Sequence, residues 1–306
     1  MPRQDLIRFA QLAHQIASQQ MPVYGSKFAP KKFTQPSLLA CLCVKEYLKL
    51  DYRGLEALLA SAAELRTALG LRQAPDHSML HWFARHRVTP RLLHRMLAQT
   101  LRHFPQRRRS RRTVAVDATG FTRGRTSRYY AARLQQWRPT YLQWSTVVWT
   151  RPLAICAQAV HRGPGSGHRW LRPLVAQTQA QLRVDRVLAD ADYDSEAHHR
   201  WLREDCSIES IIPAIRGRPG RPTAQPYRRR MQRWFPHRKY GQRWMTETVY
   251  SVVKRRFGDA LTARQYWQQV KQLCLRGITH NVYRAVQLGA LWWRWLLHQV
   301  LTVPVT

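Results

Sequence analysis

The stretch Thr113-Val-Ala-Val-Asp117-Ala-Thr-Gly120 decides the fold of this chain, because it places a carboxylate directly after a short β-branched run. β-Branched residues favour strands, and the glycine indicates a turn near residue 120. We therefore predict a strand that has Asp117 at its carboxyl end. Open α/β sheets carry their functional residues at such strand ends, so Asp117 is the first candidate site residue.

Further strand-like segments follow in the order expected of an α/β sheet. Residues 140–148 and 153–160, separated by Thr150-Arg-Pro152, predict a β-meander with the first strand. A Gly/Pro-rich turn then leads to a predicted helix over residues 168–182. A fourth predicted strand, 184–189, ends at a cluster of acids.

The charge of the chain is far from balanced. Among 306 residues, 51 are Lys or Arg and 17 are Asp or Glu, which gives a formal net charge of +34. Hydrophobic residues make up 44% of the chain, which is enough for a buried core and argues against a basic disordered tail. A polyanion must neutralise such charge, and nucleic acid is favoured over a membrane because no membrane-binding segment accompanies the cations.

Neither a signal peptide nor a membrane span is predicted. The most hydrophobic stretch, 288–305, is interrupted by Arg294 and His298. The five cysteines form an odd set without the pair spacing of a zinc site. These features predict a cytoplasmic protein.

In so basic a chain, the positions of the acids carry the most information. Asp117 is the only acid between Asp76 and Asp185, and Glu247 is the only one between Glu209 and Asp259. An isolated carboxylate serves as a helix cap, an ion-pair partner or a metal ligand, and its isolation alone leaves these alternatives open.

The acidic cluster Asp190-Ala-Asp192-Tyr-Asp194-Ser-Glu196 follows the fourth predicted strand. An Asp-rich turn that caps a helix beginning near Ser195 would account for Asp194. Asp190 directly follows the strand, as Asp117 does, and is therefore the better partner for Asp117.

Glu247 lies in a predicted helix over residues 240–257. At about 100° per residue, four polar side chains fall within an arc of about 60°, and apolar residues lie opposite. The four are Tyr240, Arg243, Glu247 and Lys254. A solvated face with an Arg243 to Glu247 pair worth about 0.3 kcal/mol is the alternative to a functional stripe. Three carboxylates on two strand ends and one helix could instead hold two divalent ions about 4 Å apart, and oxygen ligands suit Mg²⁺ or Mn²⁺.

These motifs resemble those of insertion-sequence transposases of the DDE type. The pattern Tyr, two residues, Arg, three residues, Glu, six residues, Lys (YREK) of one group of these enzymes is matched at all four positions, 240, 243, 247 and 254. The resemblance implies an α/β catalytic core with a ribonuclease-H-like fold, a mixed sheet flanked by helices, over residues 106–285 with a basic loop at 215–238. It also implies an all-α DNA-binding region over 1–105, and we assign 286–306 to a C-terminal helix and tail.

The resemblance assigns roles to individual residues. Asp117, Asp190 and Glu247 take the catalytic and metal-ligand positions. The family more often has Gly where Asp192 stands, which leaves Asp192 as an alternative second ligand, but Asp190 is favoured because it follows the strand directly. The predicted DNA-binding residues are Tyr240, Arg243, Lys254, Arg255 and Arg256, together with Arg216, Arg218 and Arg221 of a segment similar to an AT-hook. An ordinary basic loop is the alternative for that segment.

The implied activity is cleavage of the ends of a DNA element, followed by attack of the freed 3′-hydroxyl on target DNA with Mg²⁺ or Mn²⁺ as cofactor. The implied partners are double-stranded DNA, as element terminal repeats and target, and a second copy of the chain in a homodimer on DNA. A nuclease that does not join strands and a non-catalytic repressor-like DNA-binding protein are the alternatives.

Two further expectations concern DNA contacts. Some members of the family stabilise a hairpin intermediate with a Trp that receives a flipped base; Trp234 or Trp244 could serve, although we expect core packing for both. A predicted helix over residues 78–100 carries arginines that either recognise element ends or form the basic outer face of a packing helix. They are Arg85, Arg87, Arg91 and Arg95.

Overall fold

The computed structural model describes residues 3–28, 30–105, 111–123, 141–163, 165, 167–215 and 223–301. Contacts within the chain divide it into two compact units. The first unit contains residues 1–104 and 278–306, and the second contains residues 105–277.

The second unit is built on a mixed sheet whose strand order is β3-β2-β1-β4-β5, with β6 pairing β1. β1 pairs antiparallel with β2 and parallel with β4, β2 and β3 are antiparallel, and β4 and β5 are parallel. The strands are β1 Thr113–Arg123, β2 Tyr141–Trp149, β3 Ala154–Arg162, β4 Arg186–Ala189, β5 Glu209–Ile211 and β6 Ala260–Leu261. This mixed sheet, flanked by helices, fits the predicted ribonuclease-H-like core.

The first strand is longer than predicted, and this changes the place of Asp117. β1 continues through Gly120 to Arg123 because its second half pairs with β2 and its last two residues pair with β6. Asp117 therefore lies in the middle of β1, and the prediction that it ends the strand is wrong. The short strands β5 and β6, only 3 and 2 residues long, were not predicted because they are too short to show an alternating pattern.

Helices cover the sheet of the second unit. Helix Leu171–Gln179 packs on β2 and β3, and the helix Met245–Phe257, which we call the glutamate helix, packs on β1 and β2. The other α-helices of this unit among the described residues are Glu196–Arg200, Pro226–Arg233 and His237–Tyr240, together with the start of Tyr266–Leu301. Two buried polar side chains of this core are hydrogen-bonded: Trp144 Nε1 donates to Gln158 Oε1 at 3.1 Å, and Gln158 Nε2 donates to the Cys274 carbonyl at 3.1 Å.

The described part of the first unit is helical. Its α-helices before residue 105 are Arg3–Ser18, Gln35–Leu48, Tyr52–Ser61, Ala63–Ala68, His77–His86 and Pro90–Thr100. The prediction of one helix over 78–100 is wrong, because the segment breaks into two helices. Thr89 caps the second helix by accepting a hydrogen bond from the Leu92 N–H at 3.2 Å. Pro90 occupies the first turn of this helix, where a proline is tolerated, whereas a proline in a helix interior is not.

Helix Tyr266–Leu301 begins in the second unit and continues into the first. The boundary that we expected between residues 285 and 286 falls inside this continuous helix. Within the described residues, no helix has the length and apolar character needed to cross a membrane.

Candidate active site

Asp117 and Asp190 follow equivalent positions on two neighbouring parallel strands. The register pairs Val116 of β1 with Ala189 of β4, and each aspartate comes directly after its paired residue. Neighbouring strands are about 4.8 Å apart, and side chains at equivalent positions of parallel strands point to the same face. The backbone register therefore brings the two carboxylates together.

Burial and neighbouring carboxylates make the ionised forms of both aspartates less favourable, which raises the pKa of each. Burial, followed by the negative charges of Asp117 and Asp192, raises the pKa of Asp190 to about 6. Burial also raises the pKa of Asp117, against hydrogen bonds from the Ala118 N–H at 2.8 Å and the Thr246 hydroxyl at 3.1 Å. Two acids whose ionised forms are disfavoured in this way form a site that a cation stabilises.

Arg243 links Asp117 to Glu247. Its guanidinium donates to Asp117 Oδ2 at 3.3 Å through one terminal nitrogen and to Glu247 Oε1 at 2.8 Å through the other. The Arg243 side chain is 22% exposed and that of Glu247 is 61% exposed. The Arg243 guanidinium thus lies between the partly buried Asp117 and the exposed Glu247, and it supplies a positive charge to both carboxylates.

The segment that carries Arg243 is not the single helix that we predicted over residues 240–257. Tyr240 ends a short helix, a 3₁₀ turn covers Gly241–Trp244, and the glutamate helix begins at Met245. The helix ends where Gly258 adopts a φ of +90°, a value that favours glycine. In this 3₁₀ turn Arg243 lies close to both Tyr240 and Glu247. Its guanidinium carbon is 5.9 Å from the centre of the Tyr240 ring, and its terminal nitrogen donates to Glu247.

Tyr240 and Lys254 both contact the face of the sheet that carries Asp117. The Tyr240 ring packs against the apolar cluster of Ala115, Leu188 and Ile211, which come from β1, β4 and β5. Lys254 Nζ donates to the Thr119 hydroxyl of β1 at 2.7 Å. Thr119 is two residues after Asp117 and therefore lies on the same face of β1. The structure thus brings all four motif residues to one face of the sheet, next to Asp117.

The other predicted DNA-binding residues are less closely tied to this face. Arg255 is exposed and Arg256 is half-buried on the glutamate helix. The three arginines of the predicted AT-hook-like segment, Arg216, Arg218 and Arg221, lie outside the described residues.

Several predictions about individual side chains are wrong. Trp234 and Trp244 are 71% and 55% exposed, so neither packs in the core. Asp194 does not cap the following helix: Ser195 occupies the cap position, and no side-chain hydrogen bond caps that helix. The Asp194 carboxylate instead binds the guanidinium of Arg228, with the shortest distance 2.6 Å.

Asp192 differs from Asp190 in both position and surroundings. Asp192 is exposed, whereas Asp190 is half-buried and accepts a hydrogen bond from the Asp192 N–H at 3.1 Å. Asp190 Oδ1 thereby caps the 3₁₀ turn Ala191–Tyr193, which fixes its carboxylate at the strand end.

Thr246 belongs to the site although the sequence did not single it out. Its hydroxyl donates to Asp117 Oδ2, and its side chain is fully buried. Its position directly before Glu247 was a possible signal, but a threonine in a helix has many ordinary roles.

The donor set decides whether a metal ion fits this place. Asp117 and Asp190 provide adjacent carboxylate oxygens, which Mg²⁺ and Mn²⁺ prefer, so this pair fits a divalent cation. Among the residues that the structure describes, no group of three or more His, Cys, Asp or Glu side chains is gathered closely enough to hold a metal ion. Glu247 is connected to Asp117 through the Arg243 guanidinium, which hydrogen-bonds both carboxylates.

Comparison with known proteins identifies the second unit. The family model described as "Transposase DDE domain" matches residues 108–282. No curated protein matches the chain in sequence. The matched residues contain the six strands, both aspartates and the glutamate helix.

Proposed function

This chain belongs to the transposases with a DDE domain, and from that premise we propose that it cuts the ends of a DNA element and joins the freed 3′-hydroxyl to target DNA. The observation that carries the proposal is the β1 to β4 register, which sets Asp117 and Asp190 side by side. Phosphoryl transfer between DNA strands requires a place where negative charge on the reacting phosphate is offset, and paired carboxylates attract the cations that do this.

Asp117 and Asp190 would hold the divalent cation, and Glu247 would complete the set. When bound, Mg²⁺ or Mn²⁺ supplies a Lewis acid that polarises the phosphate and lowers the pKa of the attacking water or hydroxyl; two such ions together serve the attacking and leaving oxygens. The half-buried position of Asp190, directly after β4, supports it over the exposed Asp192 as the second ligand.

The remaining motif residues would handle the DNA. We assign the chain to the group with the YREK motif, in which Tyr240, Arg243 and Lys254 bind phosphates next to the cleaved bond. Arg243 is the central residue of this assignment because it now holds Asp117 and Glu247 together. When DNA and the cation are present, its guanidinium is available to move from the carboxylates to a phosphate, which is an equally good bidentate partner.

The partners follow from the same proposal. A transposase acts on DNA, and we propose a homodimer that brings two element ends together, in association with the nucleoid. Four exposed arginines on or beside helices His77–His86 and Pro90–Thr100 support a DNA-binding role for the helical region. They are Arg85, Arg87, Arg91 and Arg95. Light scattering of the complex with end DNA tests the dimer, and a monomeric active complex would contradict it.

The test of function uses the full chain, labelled DNA carrying an element end, unlabelled target DNA and Mg²⁺. We expect both a cleaved end and a joined product. Asp117→Asn, Asp190→Asn and Glu247→Gln should remove both products while DNA binding persists, and Asp192→Asn should keep both. Cleavage without joining would indicate a nuclease instead, and DNA binding without either product would indicate a repressor-like protein. Loss of activity in Asp192→Asn but not in Asp190→Asn would overturn the ligand assignment.

A further inference from the structure

Helix Pro226–Arg233, which we call the arginine helix, is fastened to the core by one buried ion pair. The Asp194 side chain has no exposed surface, and that of Arg228 is 22% exposed. Arg228 Nε lies 2.9 Å from both Asp194 oxygens, and one terminal nitrogen lies 2.6 Å from Oδ2. Such a charge-assisted, bidentate pair fixes the orientation of both side chains. Asp194 also accepts a hydrogen bond from the Ile215 N–H at 2.8 Å, so one carboxylate holds the chain both before and after residues 216–222.

A second acid holds the start of the same helix. Glu196 accepts hydrogen bonds from the N–H groups of Tyr227 and Arg228 at 3.2 and 3.1 Å. These are amide groups of the first turn, which have no partner inside the helix, and a negative charge there is also favourable to the helix dipole. The residue at the cap position, Gln225, makes no side-chain cap of its own. Glu196, which belongs to helix Glu196–Arg200, therefore caps the start of the arginine helix in place of Gln225.

The arginine helix directs its other arginines outward. At about 100° per residue, Arg229, Arg230 and Arg233 fall within an arc of about 100°, on the side opposite Met231. The burial agrees, because Met231 is buried and these three arginines are exposed. With the described residues, the three side chains make no hydrogen bond and no ion pair.

Among the described residues, no acid forms an ion pair with the outward arginines. The acids that do contact this helix bind the Arg228 guanidinium, two backbone N–H groups and the Tyr227 hydroxyl. The nearby Arg203 has its pKa lowered, by burial first and then by the charge of Arg230. Like charges crowded in this way repel one another, and a polyanion that binds across the face relieves the repulsion.

We propose that the outward face of the arginine helix, formed by Arg229, Arg230 and Arg233, binds the phosphate backbone of double-stranded DNA, and that Asp194 and Glu196 are positioning residues which aim it. This inference rests on the proposed function for its choice of DNA as the polyanion. It adds a phosphate contact outside the residues that the YREK motif provides. Arg228 is the one arginine of the run that is turned inward, because Asp194 neutralises it.

The first experiment removes the three outward charges. Fluorescence anisotropy of a labelled duplex, in EDTA and over a series of salt concentrations, is compared for the wild-type chain and for R229Q/R230Q/R233Q. The matched control is R151Q/R169Q/R183Q, which removes three exposed arginines from other surfaces of the same unit. We expect at least tenfold weaker binding at 0.1 M salt for the first variant, and a salt slope reduced by about 0.9 for each lost phosphate contact. Equal effects of the two triple variants would overturn the proposal, because the charge would then act without a specific surface.

The second experiment separates positioning from simple destabilisation. D194N keeps the shape of the side chain and removes its charge, and E196Q does the same at the helix start. Each should weaken DNA binding in the wild-type background but have no further effect in R229Q/R230Q/R233Q, because the surface that they aim is already gone. The conservative variant R228K should recover part of the affinity that R228Q loses. Additive losses, or no loss in either single variant, would contradict the positioning role.

Both experiments are independent of catalysis. If R229Q/R230Q/R233Q weakens DNA binding but no cleavage is detected in the wild-type chain with Mg²⁺, the surface stands and the proposed activity fails. If cleavage and joining occur but this variant binds DNA as tightly as its control, the activity stands and the surface fails.

Discussion

Asp190 and Asp194 lie four positions apart in one acidic cluster and have opposite surroundings. Asp190 faces two further carboxylates, and its pKa is raised to about 6 by burial and by those charges. Asp194 is more deeply buried, yet it binds Arg228 and the Ile215 N–H. Burial and like charges outweigh the charge of Arg243 at Asp190, whereas Asp194 is paired directly with an arginine.

This difference separates residues that bind a ligand from residues that hold the fold. A buried carboxylate with an arginine partner is complete and has little to gain from another cation. A buried carboxylate next to other carboxylates gains stability when a cation arrives. Within one acidic motif, the partners in space therefore assign the roles, and the residue type does not.

The largest expected effect concerns the carboxylate pair of Asp117 and Asp190, which we propose binds a cation. Asp117→Asn should lower strand transfer about 10³-fold or more, since even the outer partners of metal ligands are worth 10- to 100-fold. Its free energy of unfolding without metal should not fall, because the change removes a charge that repels Asp190. Product yield on labelled DNA and urea unfolding in EDTA measure the two outcomes. A variant that is both inactive and strongly destabilised would mean that Asp117 is structural.

Loss of Asp194, which is paired with Arg228, should instead lower the stability of the fold. Asp194→Ala removes one partner of a buried ion pair and should lower the free energy of unfolding by about 3–5 kcal/mol. Urea unfolding followed by tryptophan fluorescence measures the loss, and the exposed Asp192→Ala is the control, for which we expect a change within about 0.5 kcal/mol. Similar values for the two variants would remove the distinction between Asp194 and its neighbours.

A buried histidine near Asp194 and Glu196 should make the stability of the fold depend on pH. His199 has no exposed surface, and its Nδ1 lies 2.7 Å from the Ser210 hydroxyl. Burial, with the charge of Arg203, lowers the pKa of His199 to about 4 from 6.5. A folded-state pKa below the unfolded one means that the unfolded chain binds the proton more readily, so stability is lost as pH falls from about 6.5 towards 4.

At pH 5 this single group should cost about 2 kcal/mol of unfolding free energy relative to pH 8. His199→Gln should lose less stability than the wild-type chain over the same range. Urea unfolding at a series of pH values gives the difference, which isolates His199 from the other groups that titrate. Parallel curves for the two proteins would show that His199 does not titrate in this way.

The smallest expected effect concerns Arg243, the positively charged side chain beside the carboxylates. Arg243→Gln should change the free energy of unfolding by about 1 kcal/mol or less, because its pairs are partly exposed. It should raise the affinity for Mn²⁺ on the order of fivefold, since a nearby positive charge no longer competes. Isothermal titration of the DNA-free chain measures this change, and unchanged or weaker binding would mean that Arg243 does not compete with the cation.

The sequence predicted the sheet better than it predicted the partners of individual side chains. β-Branched runs marked four strands because their pattern is local, and the resemblance to DDE transposases implied that these strands form a mixed sheet. The pairing of Asp194 with Arg228 was not predictable, because nothing local distinguishes Arg228 from Arg229 and Arg230 in the same run. The helix through Tyr240 was predicted too long because its periodicity continues through the 3₁₀ turn Gly241–Trp244, where the backbone tightens.

The pairing of Val116 with Ala189 has a consequence for how copies of such a gene decay. Side chains alternate between the two faces of a strand, so the loss or gain of a single codon within β4 would turn Asp190 to the opposite face. The encoded protein would keep every acid and arginine of the motifs and still lack the adjacent carboxylates. Inactive copies can therefore arise by changes of length that leave the reading frame intact, and a search for the acids alone would count them as functional.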